Sequence, residues 1–465
     1  MKKKNLLALL LLATLFAACK EEFLAPDISG IETNEYVLNI GDVMVLAPNV
    51  KNLKGNNYEW MLNGKKIPGA TFDYTFTARE PGTFLVLFKA GNKGGKAEQA
   101  FKITVEKPIE ITFEGLLSTP KSKVLDIKPV ITGPDRDDYT YEWTIEDNII
   151  GKNETLEFIT LAPGNYTVQL TVSAGKQKQT ANCNIEVTDA KYSNRPVSLL
   201  EYIPAPGNDW TQLRDSYPNP PAFNYPYQEF LEKASEYINE NGVYFNLQNW
   251  GSSVTLGFDH TLVNIPSQND FEVWVRSLLG NPLPVSFYVS YDKNKNGKAD
   301  DEWFEIKTVD YGKEDIKEYV RTYTLVEASA KDSEEGKTTV TYKDKWEDNQ
   351  GNKGGNEWTF DFDNTAENAL FPGYYLKNGK IEQYDGWKNT FTVKGKLINK
   401  KVTQSAWYSQ YKLNINDAVT ALGEPAKLVG IDFIKIQNTS ETYWKDEETP
   451  RPNQERLELL RDLHL

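Results

Sequence analysis

The chain has 465 residues, with 52 Lys and Arg against 66 Asp and Glu, and only two Cys and two His. That length accommodates about two to four domains. A net charge of −14 argues against nucleic acid or an anionic membrane surface as a partner, and so few His and Cys leave too little for a catalytic zinc centre.

Lys2, Lys3 and Lys4 precede an apolar run over residues 6–16. The run is too short for a stable membrane span and reads as a secretory signal. It ends in Leu15-Phe16-Ala17-Ala18-Cys19, which resembles a bacterial lipobox. That resemblance implies a signal peptide over 1–18 and lipidation of Cys19, giving a membrane anchor without a transmembrane helix; each buried CH2 contributes about 0.8 kcal/mol. Lys20, Glu21 and Glu22 follow, and a charged cluster there resembles the surface-export signal of Bacteroidota lipoproteins. It implies an outer-membrane, cell-surface location, with 19–26 as linker. Removing 1–18 takes three Lys from 52, leaving 49 basic against 66 acidic residues and a net charge of −17. Cys183 then has no partner for an intramolecular disulfide except the lipidated Cys19. It sits in the alternating stretch 180–188 and is expected to be buried.

An internal repeat follows. Tyr58-Glu59-Trp60 recurs as Tyr141-Glu142-Trp143, and the Pro-Gly turn at 81–82 recurs at 163–164. After each turn apolar residues alternate: Phe84, Val86 and Phe88 in one copy, Tyr166, Val168 and Leu170 in the other. Period-two alternation between turns predicts small β-sandwiches over 27–106 and 107–189. Both copies resemble PKD-type immunoglobulin-like domains, which implies a spacer role. The Trp-Asp-Phe-Gly-Asp-Gly turn of better-known members is replaced by Trp60-Met61-Leu62-Asn63-Gly64 and Trp143-Thr144-Ile145-Glu146-Asp147.

Past residue 190 the pattern changes. Pro and aromatic residues crowd 202–227 and suit an extended segment. Residues 227–242 read as one helix, with an apolar stripe of Phe230, Leu231, Ala234, Tyr237 and Ile238 and a stop at Gly242. Strands are expected at 243–248, 253–259, 271–278, 284–292, 302–309, 338–344, 389–398 and 429–437. The polar stretch 344–369 reads as an excursion. The expected fold is therefore all-β: two immunoglobulin-like β-sandwiches in tandem, then a larger jelly-roll-like β-sandwich with one short helix, over 190–465.

Within that last module Asp292, Asn294, Asn296 and Asp300 fall at positions 1, 3, 5 and 9 of a loop with Gly297 at position 6. Ca2+ takes roughly six to eight oxygens at about 2.3–2.6 Å, and glycine permits the sharp turn that aims them inward. The Lys298 carbonyl would add one oxygen, and Asp301 or Glu305 a last carboxylate, since Trp303 stands where a helical calcium hand has Glu. Mg2+ fits less well. The bland alternative is a hairpin of Asn and Asp turns.

The stretches 242–264, 269–275, 430–437 and the final Asp462-Leu463-His464-Leu465, together with the loop, resemble a C-terminal domain of Bacteroidota surface lipoproteins. That resemblance implies an accessory or ligand-capturing role beside an outer-membrane transporter, in which Asp259 and His260 recur as a pair. Whether the pair touches a ligand or braces the sheet stays open. Neighbours on a strand face opposite sides, so the pair is not expected to form a relay, and His464 is expected to be mobile near the chain end. These points weigh against Ser-His-Asp chemistry.

Nine of the eleven Trp lie beyond residue 190. Trp274 and Trp303 are expected in the core. Trp250, Trp346, Trp358 and Trp387 lie in or near polar, Gly-rich segments and are candidates to stack on a glycan or another small ligand. Asp348 and Asn349 form a weaker candidate for a second cation. The leading expectation is capture of a nutrient ligand, with structural Ca2+. The alternatives are an adhesive or scaffold protein binding a protein partner, and a two-carboxylate glycosidase.

Overall fold

The computed structural model describes residues 24–29, 33–53, 57–203, 226–247, 250–277, 284–332, 336–363, 368–371, 374–377, 380–383, 385–386, 389–398, 408–440, 443–445, 450–452 and 455–465. They fall into two compact units. One comprises Met1–Leu117, Ile127–Leu156 and Tyr166–Ile185; the other comprises Ser118–Asp126, Glu157–Asn165 and Glu186–Leu465.

The first unit carries the repeat. The strand Tyr58–Leu62 pairs with Gly82–Asn92, which pairs with Gly95–Val105, and Trp60 stands opposite Phe88. The predicted alternation is seen directly: Val86, Phe88 and Ala90 point inward, while Leu85 is exposed. Trp60 is fully buried and its indole N–H donates to the Phe72 carbonyl at 3.1 Å. In the second copy Trp143 stands opposite Leu170 and donates to the Asn153 carbonyl at 2.8 Å. An indole needs both an apolar slot and an acceptor for its N–H when buried, and both copies supply them the same way. Cys183 is buried as expected, and burial pushes its thiol pKa up. Arg136 ties the two copies together: its guanidinium meets Glu106 at 3.1 Å and Asp138 at 2.7 Å.

In the second unit a six-stranded sheet runs Ser198–Ile203, Ser253–Val263, Gly430–Asn438, Val285–Ser290, Trp303–Ile306 and Ala418–Val419 in spatial order. A second sheet runs Phe245–Asn246, Glu455–Asp462, Phe271–Ser277 and Tyr408–Leu413. Leu256, Phe287 and Ile434 of the first pack with Phe271, Val273 and Leu460 of the second in one core. The single α-helix among the described residues, Tyr227–Asn241, buries Phe230, Leu231, Ala234 and Ile238 in the same core. It stops where Gly242 takes φ 86°, a left-handed conformation that glycine adopts without penalty. The fold class is all-β, with two immunoglobulin-like sandwiches followed by the larger jelly-roll-like one.

The polar stretch expected to be an excursion is mostly strand. Lys337–Asp348 and Lys353–Asp363 form a hairpin within a four-stranded sheet that also contains Ile316–Asp332 and Thr390–Leu397. Its polar composition reflects one solvated face carrying cross-strand hydroxyl pairs, with Thr322 to Thr392 at 2.8 Å and Thr341 to Thr359 at 3.1 Å. Such pairs stabilise a sheet without apolar side chains. Most of the Pro-rich stretch at 202–227 lies outside the described residues.

Candidate functional site

The predicted cation loop is a tight connection between Val285–Ser290 and Trp303–Ile306, which pair antiparallel with Ser290 opposite Trp303. The Asp292 carboxylate closes it, accepting the Asn296 N–H at 3.0 Å and the Gly297 N–H at 2.8 Å. Asn294 Oδ1 accepts the Asn296 N–H at 3.0 Å, and Asn296 Oδ1 accepts the Lys298 N–H at 2.7 Å. The Nδ2 groups of Asn294 and Asn296 donate to Asp300 Oδ1 at 3.1 and 3.2 Å. These two amides hold the Asp300 carboxyl below the usual carboxylate range. Gly297 takes φ 73° with open space around its Cα, so glycine serves the turn itself rather than a close approach.

The loop is anchored to the sheet. Asp432, in the strand Gly430–Asn438, accepts the Asp292 N–H at 2.9 Å on one oxygen and the Thr261 hydroxyl at 2.7 Å on the other. Burial pushes the Asp432 carboxyl up, and these two bonds oppose the shift. Lys295 reaches out of the loop to Asp126 at 2.6 Å.

The structure thus brings together Asp292, Asn294, Asn296 and Asp300, with Lys298 contributing its backbone. Asn294 Oδ1 and Asn296 Oδ1 each accept one N–H and keep a second lone pair for a cation, whereas Asp300 Oδ1 already accepts two amide N–H groups. Asp301 Oδ2 is buried with no hydrogen-bond partner, but Asp301 does not join Asp292 and Asp300 in a cluster of three carboxylates. The loop's carboxylate, amide and carbonyl oxygens are donors of the kind Ca2+ takes, although the amide Nδ2 groups of Asn294 and Asn296 lie on the Asp300 carboxylate. Among the described residues no three His, Cys, Asp or Glu side chains cluster as a metal site; this loop relies on amides beside its carboxylates.

Glu305 does not join the loop. It stands opposite Tyr288 and Val419, past the loop mouth, and its carboxylate holds Lys396 Nζ at 2.6 and 2.7 Å. Burial pushes its carboxyl up and Lys396 pulls it back. Asp348 and Asn349 are likewise spent on their own hairpin. Asp348 accepts the Asn352 N–H at 2.8 Å and the Tyr319 hydroxyl at 2.8 Å, and Asn349 Nδ2 donates to the Glu318 carbonyl at 2.7 Å.

Two of the candidate ligand-binding tryptophans already have a cation of their own. Arg321 is buried, its guanidinium 3.9 Å from the Trp346 ring centre and 5.8 Å from that of Trp250. Tyr319 and Tyr323 complete the box at 5.2 and 5.8 Å. Trp250 is 1% exposed and donates to the Lys396 carbonyl at 2.8 Å. Gly251 beside it is required, because a Cβ there would lie 2.5 Å from Val393. Trp250 is therefore a packing residue, whereas Trp346 is half-buried, with Arg321 over its ring. The Trp358 side chain, Trp387 and Cys19 lie outside the described residues. Trp274, expected in the core, is 37% exposed, and Trp303 is half-buried.

The histidines also depart from expectation. The pairing of Ser253–Val263 with Gly430–Asn438 slips between Gly257 and Leu262. At this irregularity strict alternation lapses, and His260 Nδ1 meets its neighbour Asp259 Oδ1 at 2.8 Å. Its Nε2 meets Asp462 Oδ2 at 2.9 Å, the ring stacks on Tyr192 at 5.1 Å, and the side chain is fully buried. His464 is fixed rather than mobile, its Nε2 3.0 Å from Asp270 and its N–H 2.8 Å from Asp462 Oδ1. Both histidines brace the sandwich, and the open question over Asp259 and His260 is answered in favour of the sheet.

The PKD-like domain family matches residues 26–92 and the PKD domain family matches residues 123–187. No curated protein matches the chain. Among solved structures the chain is similar to Sidekick-1 immunoglobulin domains 1–4, with 16% identity over 37% of this chain and 51% of that one and a TM-score of 0.28. Extracellular domains 3–5 of Drosophila OTK match at 13% identity over 35% of this chain and 62% of that one, with a TM-score of 0.27. An I-band fragment of titin matches at 12% identity over 72% of this chain and 96% of that one, with a TM-score of 0.29. The chain spans about half the length of the Sidekick-1 fragment. The chain contains two PKD-type domains, a type that suggests an adhesion or scaffold role and is typically non-catalytic.

The Arg321 box yields a direct test. Arg321→Ala should lower stability by about 2 kcal/mol or more, read by urea denaturation, and Arg321→Lys should recover only part of it because ammonium lacks the planar fork. A change near zero in both would contradict the packing role of Trp250 beside Arg321.

Proposed function

We propose that the chain is an outer-membrane surface lipoprotein of adhesive or scaffold type. Its PKD-type domains present the C-terminal sandwich, and the loop at 292–301 takes Ca2+ as a structural ion. The observation that carries the reading is the pair of PKD-type domains at 26–92 and 123–187; the loop at 292–300, fastened to the sheet through Asp432, motivates only the ion. Asp292, Asn294, Asn296, Asp300 and the Lys298 backbone would hold the ion. It would supply positive charge among carboxylates that otherwise repel one another. Hydrolysis by paired carboxylates has less support, because Glu305 is neutralised by Lys396 at 2.6 Å. Capture of a small ligand for an outer-membrane transporter is the second reading, favoured by an aromatic cleft in the same module.

Calorimetric titration of chelator-treated protein with Ca2+ should give heat and a rise in melting temperature, both lost in Asp292→Ala and Asp300→Ala. The Asp300 carboxyl lies below its ordinary value near 3.8, so it stays ionised into mild acid. Loss of calcium through protonation of Asp300 should therefore require more acid conditions than for an ordinary aspartate. No heat and no thermal shift in the parent protein would end the calcium assignment.

Anchoring is tested separately. In a Bacteroidota host the parent chain should sediment with outer membranes and be cut by protease added to intact cells. Cys19→Ala should abolish membrane retention. Retention of that variant would contradict lipidation at Cys19.

A further inference from the structure

Lys396 is a buried lysine with an acid on either side, and the space in front of it is open. Its Nζ lies 2.6 Å from Glu305 Oε2 and 3.9 Å from Glu314 Oε2, and 4.5 Å from the Tyr311 ring centre. Both Glu side chains are largely buried, and Glu314 Oε2 has no hydrogen-bond partner. These groups line a cleft of about 640 Å³ whose other walls include Tyr288, Trp303 and Tyr311. That volume lies within the range of small-ligand pockets, which combine apolar walls with a few convergent polar groups.

The chemistry of the walls selects the ligand. A cationic ligand would meet Lys396, and an anionic one would meet Glu305 and Glu314, so neither charge is favoured at close quarters. A neutral molecule with several hydroxyls suits both, because each hydroxyl can donate to a carboxylate and accept from an ammonium. Glu314 Oε2 lacks a donor, and burying such an atom unpaired costs about 1–3 kcal/mol; a ligand hydroxyl would remove that penalty. The rings of Trp303 and Tyr288 offer flat apolar surface for the C–H face of a pyranose, while the Tyr311 ring is already faced by Lys396 and Lys307. We propose that this cleft binds a neutral sugar ring, with Glu314 accepting from a hydroxyl, Lys396 donating to a neighbouring one and the aromatic side chains covering the ring. The inference rests on reading the C-terminal sandwich as a binding module, and it does not depend on the calcium loop.

The test uses the full mature chain, residues 19–465, in affinity gels cast with dextran, mannan, laminarin or xyloglucan, and with heparin as the charged control. At least one neutral polysaccharide should retard the protein. Trp303→Ala and Glu314→Gln should each weaken that retardation roughly tenfold, with melting temperatures within a few degrees of the parent. Glu314→Gln keeps the side-chain shape, so its loss of binding cannot be laid to misfolding. Retardation that survives in both variants would overturn the cleft while leaving a binding module in place. Retardation by heparin alone, or by none of the polymers, would overturn the sugar assignment.

Discussion

A buried carboxylate must find donors, and Asp432 finds them in two places at once. It takes the Thr261 hydroxyl from the neighbouring strand and the N–H of Asp292 from the mouth of the loop. Left unpaired, a buried charge of this kind costs several kcal/mol, so the position of the loop is fixed by the needs of the sheet. Thr261 follows His260, whose ring is held between Asp259 and Asp462. The segments that look most like functional motifs in the sequence are therefore one connected frame, assembled from residues 140 to 202 positions apart.

The same logic governs the other polar side chains of the module. Arg321, Lys396 and Asp270 are all buried. Arg321 is faced by aromatic rings, Lys396 by two carboxylates, and Asp270 by the Ile265 and Ile415 N–H groups and His464. The sandwich spends much of its charge on internal fastening. Asp301 in the loop and Glu314 in the cleft each keep one buried carboxylate oxygen with no hydrogen bond.

The repeats were legible because their cause is local. A Tyr-x-Trp strand, a Pro-Gly turn and period-two alternation need no distant information, and the helix was readable to within a residue for the same reason. Of the hairpin at 337–363 only the start of its first strand, 338–344, was read, because its outward face is threonine and charge. Its strand character lies in cross-strand pairing, which sequence does not display. Trp250 was misassigned because composition shows only its polar neighbours, whereas it is buried beside Arg321, 71 positions away. The Asp259–His260 contact was hidden by an irregularity in pairing that strict alternation cannot foresee. The terminal strand Glu455–Asp462 was masked by its charges, although Leu457 and Leu460 point inward.

The most direct measurement of the calcium account is a crystal structure of the C-terminal module within the full mature chain, grown in millimolar calcium. It should show one strong peak surrounded at about 2.3–2.6 Å by oxygens of Asp292, Asn294, Asn296 and Asp300, with the Asp432 anchor intact. Those oxygens turned away from one another, with only water between them, would contradict it.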